Sequence, residues 1–188
     1  PMYTIRRPAD FLPLFQDKLM QAPPGSTFVY NNGGYVLLGL IIEHITGTPF
    51  AENIADQIFR PAGMTDTGYF ASNQLPPRTA HSYIENDDGT WRSNIYAVPI
   101  VGGPDGGAYT TAADMAHFWQ ALLAHELLSA KTTARLLSPE AVTGSPPPYD
   151  HYGRGVWIEA DAQGIRKYFV EGSDPGVAFR SAVYPAQG

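Results

Sequence analysis

The sequence predicts an α+β fold in which a mainly helical region, residues 1–140, is followed by a small antiparallel meander, residues 141–188. Two patterns predict this order. Apolar residues recur at helical spacing in several segments of the first region, whereas the second region has short strand-like runs separated by turn residues. We find no internal repeat and no second globular unit, so we expect a single domain, residues 1–188, with one hydrophobic core.

The most apolar segment of the chain predicts a helix at about residues 33–46. This segment is apolar on nearly every helical face, so we expect the helix to be buried on several sides. Asn32 is a favourable N-cap for it, and Gly47 is a favourable residue just after its last turn.

An earlier amphipathic helix is predicted over residues 8–21. Phe11, Phe15 and Leu19 fall on one face of such a helix, which indicates a side that packs against the core. Asp10 can cap its first turn.

Three later helices are predicted from residues that favour helix starts. Pro49 suits the first helical position of one helix. Thr111 with Asp114 forms a box-like N-cap for the next. Ser129 caps a short last helix that ends near Leu137.

The meander is predicted from three strand-like runs, residues 152–160, 166–171 and 178–184. Residues 161–164 link the first two runs as a hairpin. Residues 173–176 link the last two, with Pro and Gly placed for a tight turn.

Composition excludes several classes of function. The formal net charge is -6 and no Lys/Arg cluster offers a phosphate-binding face, so we expect no nucleic-acid partner. Without Cys there is no disulfide, thiolate zinc site or Cys nucleophile, and the His residues lack metal-ligand spacing, so we expect no metal and no cofactor. No run within the sequence is long and apolar enough to span a bilayer, and the compartment stays open.

Three short segments, separated along the sequence, resemble motifs of one protein family. The first is Tyr30-Asn31-Asn32 in the frame Pro-Gly-Ser-Thr-Phe-Val-Tyr-Asn-Asn, and the second is Pro-Ala-Gly-Met-Thr-Asp-Thr at residues 61–67. The third is Gly-Gly-x-x-Thr-x-x-x-Asp-Met at residues 106–115. Together they resemble the serine β-lactamase and penicillin-binding superfamily, in the branch of class C β-lactamases, D-Ala-D-Ala peptidases and related esterases. The resemblance implies a β-lactamase/transpeptidase-like fold, here incomplete, in a family whose members are often extracytoplasmic.

The resemblance also implies roles for individual residues. Tyr30 would help to move the proton of a nucleophilic Ser, and Asn32 would hydrogen-bond a small amide, β-lactam or ester substrate. Glu171, Gly172 and Ser173 would flank the cleft on the strand of the family's third motif. The structural alternative for Tyr30 and Asn32 is an ordinary helix cap beside a packed Tyr.

The nucleophile of this family is the Ser of Ser-x-x-Lys, in which the ammonium eases deprotonation of the hydroxyl. The motif does not occur among the 188 residues, because the positions three before the lysines are not Ser: Phe15 before Lys18, Leu128 before Lys131 and Gly164 before Lys167. The family places it upstream of Tyr-x-Asn. We therefore expect the nucleophile on a preceding segment that associates with this chain, and we expect the chain alone to be inactive.

The strand motif also departs from the family pattern. Val170 stands where the family has Lys or His, and Glu171 beside it adds a negative charge. Arg166, Lys167 or Arg180 could supply a positive charge from nearby, but strand alternation alone does not determine which of them points inward. These residues predict a preference for neutral or cationic substrates over carboxylates, because a desolvated carboxylate would lack a partner. The departure also leaves open a second function, a non-catalytic binding domain derived from the same fold.

Overall fold

The computed structural model describes residues 2–187. The described residues form a helical region followed by a five-stranded antiparallel sheet. A short 3₁₀ helix occupies Met2–Thr4 and a second occupies Pro8–Leu14. The α-helices are α1 (Asn32–Thr46), α2 (Phe50–Ile54, continued by a π-helical turn at Ala55–Phe59), α3 (Ala112–Leu123) and α4 (Ala130–Leu136). None of the helices among the described residues is both long and apolar enough to cross a membrane.

Strands β1 (Tyr83–Glu85) and β2 (Trp91–Ser93) form a separate antiparallel hairpin. The larger sheet follows chain order, and all of its neighbouring strands are antiparallel. Its strands are β3 (Ala141–Val142), β4 (His151–Tyr152), β5 (Trp157–Asp161), β6 (Gly164–Asp174) and β7 (Val177–Val183).

The two turns of the predicted meander lie where the sequence places them. Asp161 pairs with Gly164, which leaves a two-residue turn between β5 and β6. Asp174 pairs with Val177, so Pro175 and Gly176 form the turn between β6 and β7. Gly176 has a φ of 80°, a left-handed conformation that suits glycine at the third position of a type II turn.

The predicted helix over residues 8–21 is wrong in length and type. The chain forms a 3₁₀ helix that ends at Leu14, and Leu19 beyond it is 94% exposed. Phe11 is buried with Ile5 and Val36, so the first residue of the predicted apolar face does pack in a hydrophobic cluster. Asp10 does help to cap the helix, because its carboxylate accepts hydrogen bonds from the backbone N–H groups of residues 6 and 7.

Helix α1 begins one residue earlier than predicted and has a different cap. The side chain of Asn31, not Asn32, accepts a hydrogen bond of 3.1 Å from the backbone N–H of Gly34. Two adjacent Asn residues offer equivalent caps to sequence reasoning, and the backbone selects Asn31 because its φ of -149° and ψ of 105° are extended. Gly47 ends the helix in the left-handed conformation, as predicted.

Burial of α1 on several sides is also wrong within the described chain. Val36 and Gly39 are buried, whereas a stripe of four large apolar residues is 45–75% exposed: Leu37, Leu38, Ile41 and Ile45. Gly39 faces the loop of residues 102–107, and a Cβ there would lie 2.0 Å from the ring of Pro104. This close approach fixes the loop against one side of α1.

The main core lies between the sheet and helices α3 and α4. Trp119 and Leu122 of α3 pack with Ile158 of β5 and with Val156, which immediately precedes that strand, and Ile158 is fully buried. Trp119 Nε1–H also donates a hydrogen bond of 2.9 Å to Ser181 Oγ on β7. The predicted caps of these helices are confirmed, because Thr111 and Ser129 accept from the N–H of residues 114 and 132.

Candidate functional site

Strand β6 presents alternate residues to the two sides of the larger sheet. Tyr168 and Val170 pack against the core cluster of Trp119, and we call this side the helix face. Phe169 and Glu171 point to the opposite side, which we call the aromatic face, together with their cross-strand partners Trp157 and Arg180. Adjacent residues of the motif strand are therefore in different environments.

The aromatic face holds Tyr30. The Tyr30 ring stacks on Trp157 with 5.9 Å between ring centroids and 12° between ring planes. Tyr152 meets the same Tyr30 ring edge-on at 6.3 Å, and Phe28 packs against both Tyr152 and Trp157. Tyr30 is nevertheless half exposed, because the loop before α1 carries it across the surface of the sheet.

A cavity of about 420 Å³ opens beside Tyr30. Its walls are mainly aromatic and apolar, and its lining residues are Phe28, Val29, Tyr30, Asn31, Gly34, Tyr35, Leu38 and Tyr152. Polar groups are few but converge, because the hydroxyl oxygens of Tyr35 and Tyr152 lie 2.9 Å apart in a hydrogen bond. A concave, largely apolar site with few polar groups is typical of small-molecule binding.

The surroundings of Tyr30 keep its phenol neutral. Burial is the largest cause that raises the pKa of Tyr30, and the phenol of Tyr35 and the carboxylates of Asp105 and Glu171 raise it further. At neutral pH the phenol can therefore donate a hydrogen bond. It can accept a proton as a base only if a nearby cation lowers its pKa.

The two Asn residues after Tyr30 have different positions. Asn31 lines the cavity and caps α1, whereas Asn32 is the exposed first residue of the helix and does not line the cavity. Sequence reasoning placed Asn32 at the cap and had no basis for assigning Asn31 to the cavity wall.

The predicted substrate strand has an open edge. Pairing with β5 ends at Phe169, opposite Trp157, whereas pairing with β7 continues to Asp174. Among the described strands, residues 170–174 are thus paired on one side only. Gly172 and Ser173 are exposed there, so their backbone is accessible.

The charge that the sequence assigns to Glu171 is compensated, which overturns one premise of the substrate-charge prediction. Arg180 Nε donates to Glu171 Oε2 at 2.6 Å, and Arg180 Nη2 lies 2.5 Å from the same oxygen. Val170 packs on the helix face, on the side of the sheet opposite to this ion pair.

Sequence reasoning did not identify Tyr149 and Tyr152 as members of the aromatic face, and it named Arg180 only as one of three basic residues near the motif strand, without a direction for its side chain. For Arg180 the sequence holds a usable pattern. A two-residue turn at Pro175-Gly176 pairs residues 174 and 177, and counting back along both strands places Arg180 opposite Glu171. The aromatic residues gave no comparable pattern, since their contacts join the loop before α1 to a distant sheet. No cluster of three or more potential metal ligands occurs among residues 2–187.

Comparison with known proteins identifies the family. A family model described as Beta-lactamase matches residues 5–187. The crystal structure of a penicillin binding protein from Bacillus halodurans is 49% identical and superposes with a TM-score of 0.94, covering 99% of this chain and 57% of that one. The putative penicillin-binding protein PbpX of Bacillus subtilis is 31% identical over 129 residues, which are 69% of this chain and 31% of PbpX.

A third relative is the teichoic acid D-alanine hydrolase of Staphylococcus aureus, 30% identical over 127 residues. That match covers 66% of this chain and 31% of the relative. The chain thus spans about a third of the length of these curated relatives. The predicted α+β, β-lactamase-like fold and the family resemblance are confirmed.

Proposed function

This chain belongs to the β-lactamase family, and from that premise we propose that it is part of a serine hydrolase that acts by acyl transfer on a small amide, β-lactam or ester. In this proposal residues 1–188 form part of a single domain, and a Ser-x-x-Lys segment outside them supplies the nucleophile. The observation that supports the proposal best is the position of Tyr30 at the mouth of an apolar cavity on the aromatic face.

Tyr30 is proposed as the group that relays the proton of the nucleophile. Its raised pKa makes the isolated phenol a poor base. An ammonium from the Ser-x-x-Lys segment, placed beside the phenol, would lower that pKa and allow the transfer. This requirement links the chemistry of Tyr30 to the proposed additional segment.

The remaining site residues are proposed to hold the substrate. Asn32 stands at the start of α1 and is proposed to hydrogen-bond the substrate amide or ester. Glu171, Gly172 and Ser173 lie along the part of β6 that is paired on one side, where accessible backbone groups can bind an extended acyl group. A glycine in that segment allows the substrate backbone to approach closely.

The exposed stripe of α1 supports the association with another segment. Leu37, Leu38, Ile41 and Ile45 form one side of the helix, and contiguous apolar patches on a protein surface commonly mark contact sites. We propose that the segment with the nucleophile packs on this stripe. The stripe reaches the site through Leu38, which lines the same cavity as Tyr30, so a segment packed there could approach the Tyr30 phenol.

The test is an intact-mass measurement after exposure to a β-lactam and, separately, to an activated ester. A longer form of the protein that contains a Ser-x-x-Lys segment should gain the mass of one acyl group. The 188-residue chain should gain none. Stable acylation of the chain itself, or no acylation of the longer form by either reagent, would contradict the proposal.

A second candidate function is a non-catalytic binding domain on the same fold. This candidate is favoured by the apolar residue at position 170. Val170 packs against the core, so the motif position lacks the cation of the family pattern. This candidate predicts that a longer form binds esters or β-lactams reversibly, without a mass change in the protein.

A further inference from the structure

We propose that the β1–β2 hairpin is a positioning element of the candidate site, and that Asn94, which follows β2, is its positioning residue. The hairpin holds the turn between β6 and β7 from outside the larger sheet, and the position of this turn fixes the open edge of β6. The inference rests on the proposed function, because it takes residues 171–173 of that edge as the segment that binds the substrate.

A hydrogen bond joins the hairpin to the turn. Asn94 Nδ2 donates a hydrogen bond of 3.0 Å to the carbonyl oxygen of Pro175, which is 81 positions away in the sequence. Asn94 is itself held by the hairpin, since its backbone N–H donates to the carbonyl oxygen of Ser82 at 3.2 Å. The side-chain amide therefore reaches the turn from a backbone that is already fixed.

A backbone contact lies beside that hydrogen bond. A Cβ on Gly176 would lie 2.5 Å from the carbonyl oxygen of Tyr83 on β1 and 2.9 Å from its carbonyl carbon, so no side chain fits between the turn and the hairpin. Both central residues of the turn, Pro175 and Gly176, thus contact the hairpin. Contacts on two adjacent residues restrict rotation of the turn as well as its displacement.

The strands that end in this turn lack support from the rest of the sheet. Pairing between β5 and β6 stops at Phe169, so residues 170–174 pair only with residues 177–181 of β7. Among the described strands, β7 has no second neighbour. This part of the sheet is therefore a two-stranded ribbon, and an isolated two-stranded hairpin is only marginally stable in water. The contact at its tip limits the motion of the ribbon.

The turn is close to the residues of the candidate site. Ser173 lies two residues before Pro175, so a displacement of the turn moves the backbone groups that are proposed to bind the substrate. Asp174 lies near the loop of residues 102–107: burial is the largest cause that raises the pKa of Asp105, and the carboxylate of Asp174 raises it further. The turn thus contacts the hairpin on one side and approaches the loop that packs against α1.

The hairpin is suited to this role because it is bonded internally. Asp88 Oδ1 accepts hydrogen bonds from the backbone N–H and the hydroxyl of Thr90, at 2.9 Å and 2.6 Å. Asn86 Nδ2 donates to Thr90 Oγ1, and Asn86 Oδ1 accepts from Arg92 Nε. These side-chain bonds stay within the hairpin, whereas that of Asn94 leaves it. Asn86 therefore provides a matched control.

The experiment measures amide hydrogen exchange in the 188-residue chain by NMR. In Asn94→Ala we expect the protected amides of residues 171–180 to exchange about 3–10-fold faster, because one hydrogen bond to the turn is lost. Residues 168 and 169, which pair on both sides, should be unchanged. Asn94→Asp should behave like Asn94→Ala, because a carboxylate cannot donate to a carbonyl oxygen, and Asn94→Gln should recover part of the protection.

The control variant is Asn86→Ala, which should leave exchange at residues 171–180 unchanged. The inference would be overturned by unchanged exchange in Asn94→Ala or by equal acceleration at residues 168 and 169, which would indicate a loss of overall stability. The same acceleration in Asn86→Ala would also overturn it.

A kinetic measurement separates positioning from stability. In a longer form that hydrolyses an ester or β-lactam, Asn94→Ala should raise KM by about 3–10-fold and change kcat by less than about 2-fold. The reason is that a displaced binding edge weakens binding of the substrate and of the transition state alike. A fall in kcat at constant KM, or no change in either, would contradict the positioning role.

The exchange experiment requires no nucleophile. Faster exchange in Asn94→Ala, together with no acylation of the longer form, would support the contact between hairpin and turn and reject the proposed function. Acylation of the longer form with unchanged exchange in Asn94→Ala would do the reverse.

Discussion

The two faces of strand β6 are built from alternate residues of one short segment, and they differ in almost every physical respect. On the helix face, Tyr168 and Val170 pack against an apolar core that contains the fully buried Ile158. On the aromatic face, Phe169 and Glu171 lie among aromatic rings and ion pairs beside a cavity. The difference shows that an error of one residue in aligning a strand motif moves a side chain from the site to the core, because neighbouring residues of a strand leave the sheet on opposite sides.

The largest effect is expected on the catalytic rate at Tyr30, where catalysis and packing on the aromatic face can be measured separately. In a form of the protein that hydrolyses an ester or β-lactam, Tyr30→Phe should lower kcat by about 10²–10⁴-fold, because a positioned acid–base group is removed. The melting temperature should barely change, since the ring and its stacking on Trp157 remain. The measurements are steady-state kinetics and thermal unfolding. An unchanged rate would assign Tyr30 to packing alone.

On the helix face, the corresponding change should affect stability. Ile158→Ala should reduce the free energy of unfolding by about 2–5 kcal/mol, because it removes buried methylene groups and leaves a cavity. Urea unfolding followed by Trp fluorescence measures this. The matched control is Val142→Ala on strand β3, where the side chain is 74% exposed and little change is expected. Comparable losses in both variants would contradict the assignment of the core to this face.

A smaller effect tests how the helix face is joined to α3. Ser181→Ala removes the acceptor of the Trp119 Nε1–H hydrogen bond and leaves a donor without its partner in a buried place. The expected loss of unfolding free energy is about 1–3 kcal/mol. Ser181→Thr retains a hydroxyl and should recover part of it. If Ser181→Ala costs nothing, the bond does not stabilise the contact between α3 and β7.

The smallest effect is expected at the exposed stripe of α1, and it sharpens the contrast with the core. Ile41→Ser should change the free energy of unfolding of the 188-residue chain by no more than about 0.5 kcal/mol, since Ile41 is 52% exposed. In a longer form whose added segment packs on α1, the same change should cost about 2–3 kcal/mol. Equal effects in the two forms would reject the proposed contact.

Much of the fold was predictable because it depends on local chemistry. The caps at Thr111 and Ser129, the left-handed Gly47 and the turn at Pro175-Gly176 each follow from residues within four positions of one another. The β-lactamase-like fold followed from three blocks whose order and spacing are specific. The segment at residues 8–21 failed because its apolar spacing fits a helix, whereas the described chain leaves nothing for Leu19 to pack against.

The sequence by itself determined the family, the order of elements and the candidate Tyr30, since these depend on residue identity and spacing along the chain. Only the tertiary structure decided which Asn caps α1, which side of the sheet each residue of β6 occupies, and that Arg180 compensates Glu171. The physical reason is that these outcomes depend on pairing register and on contacts between distant segments. The free energy of such contacts is set by burial and geometry, neither of which a single segment contains.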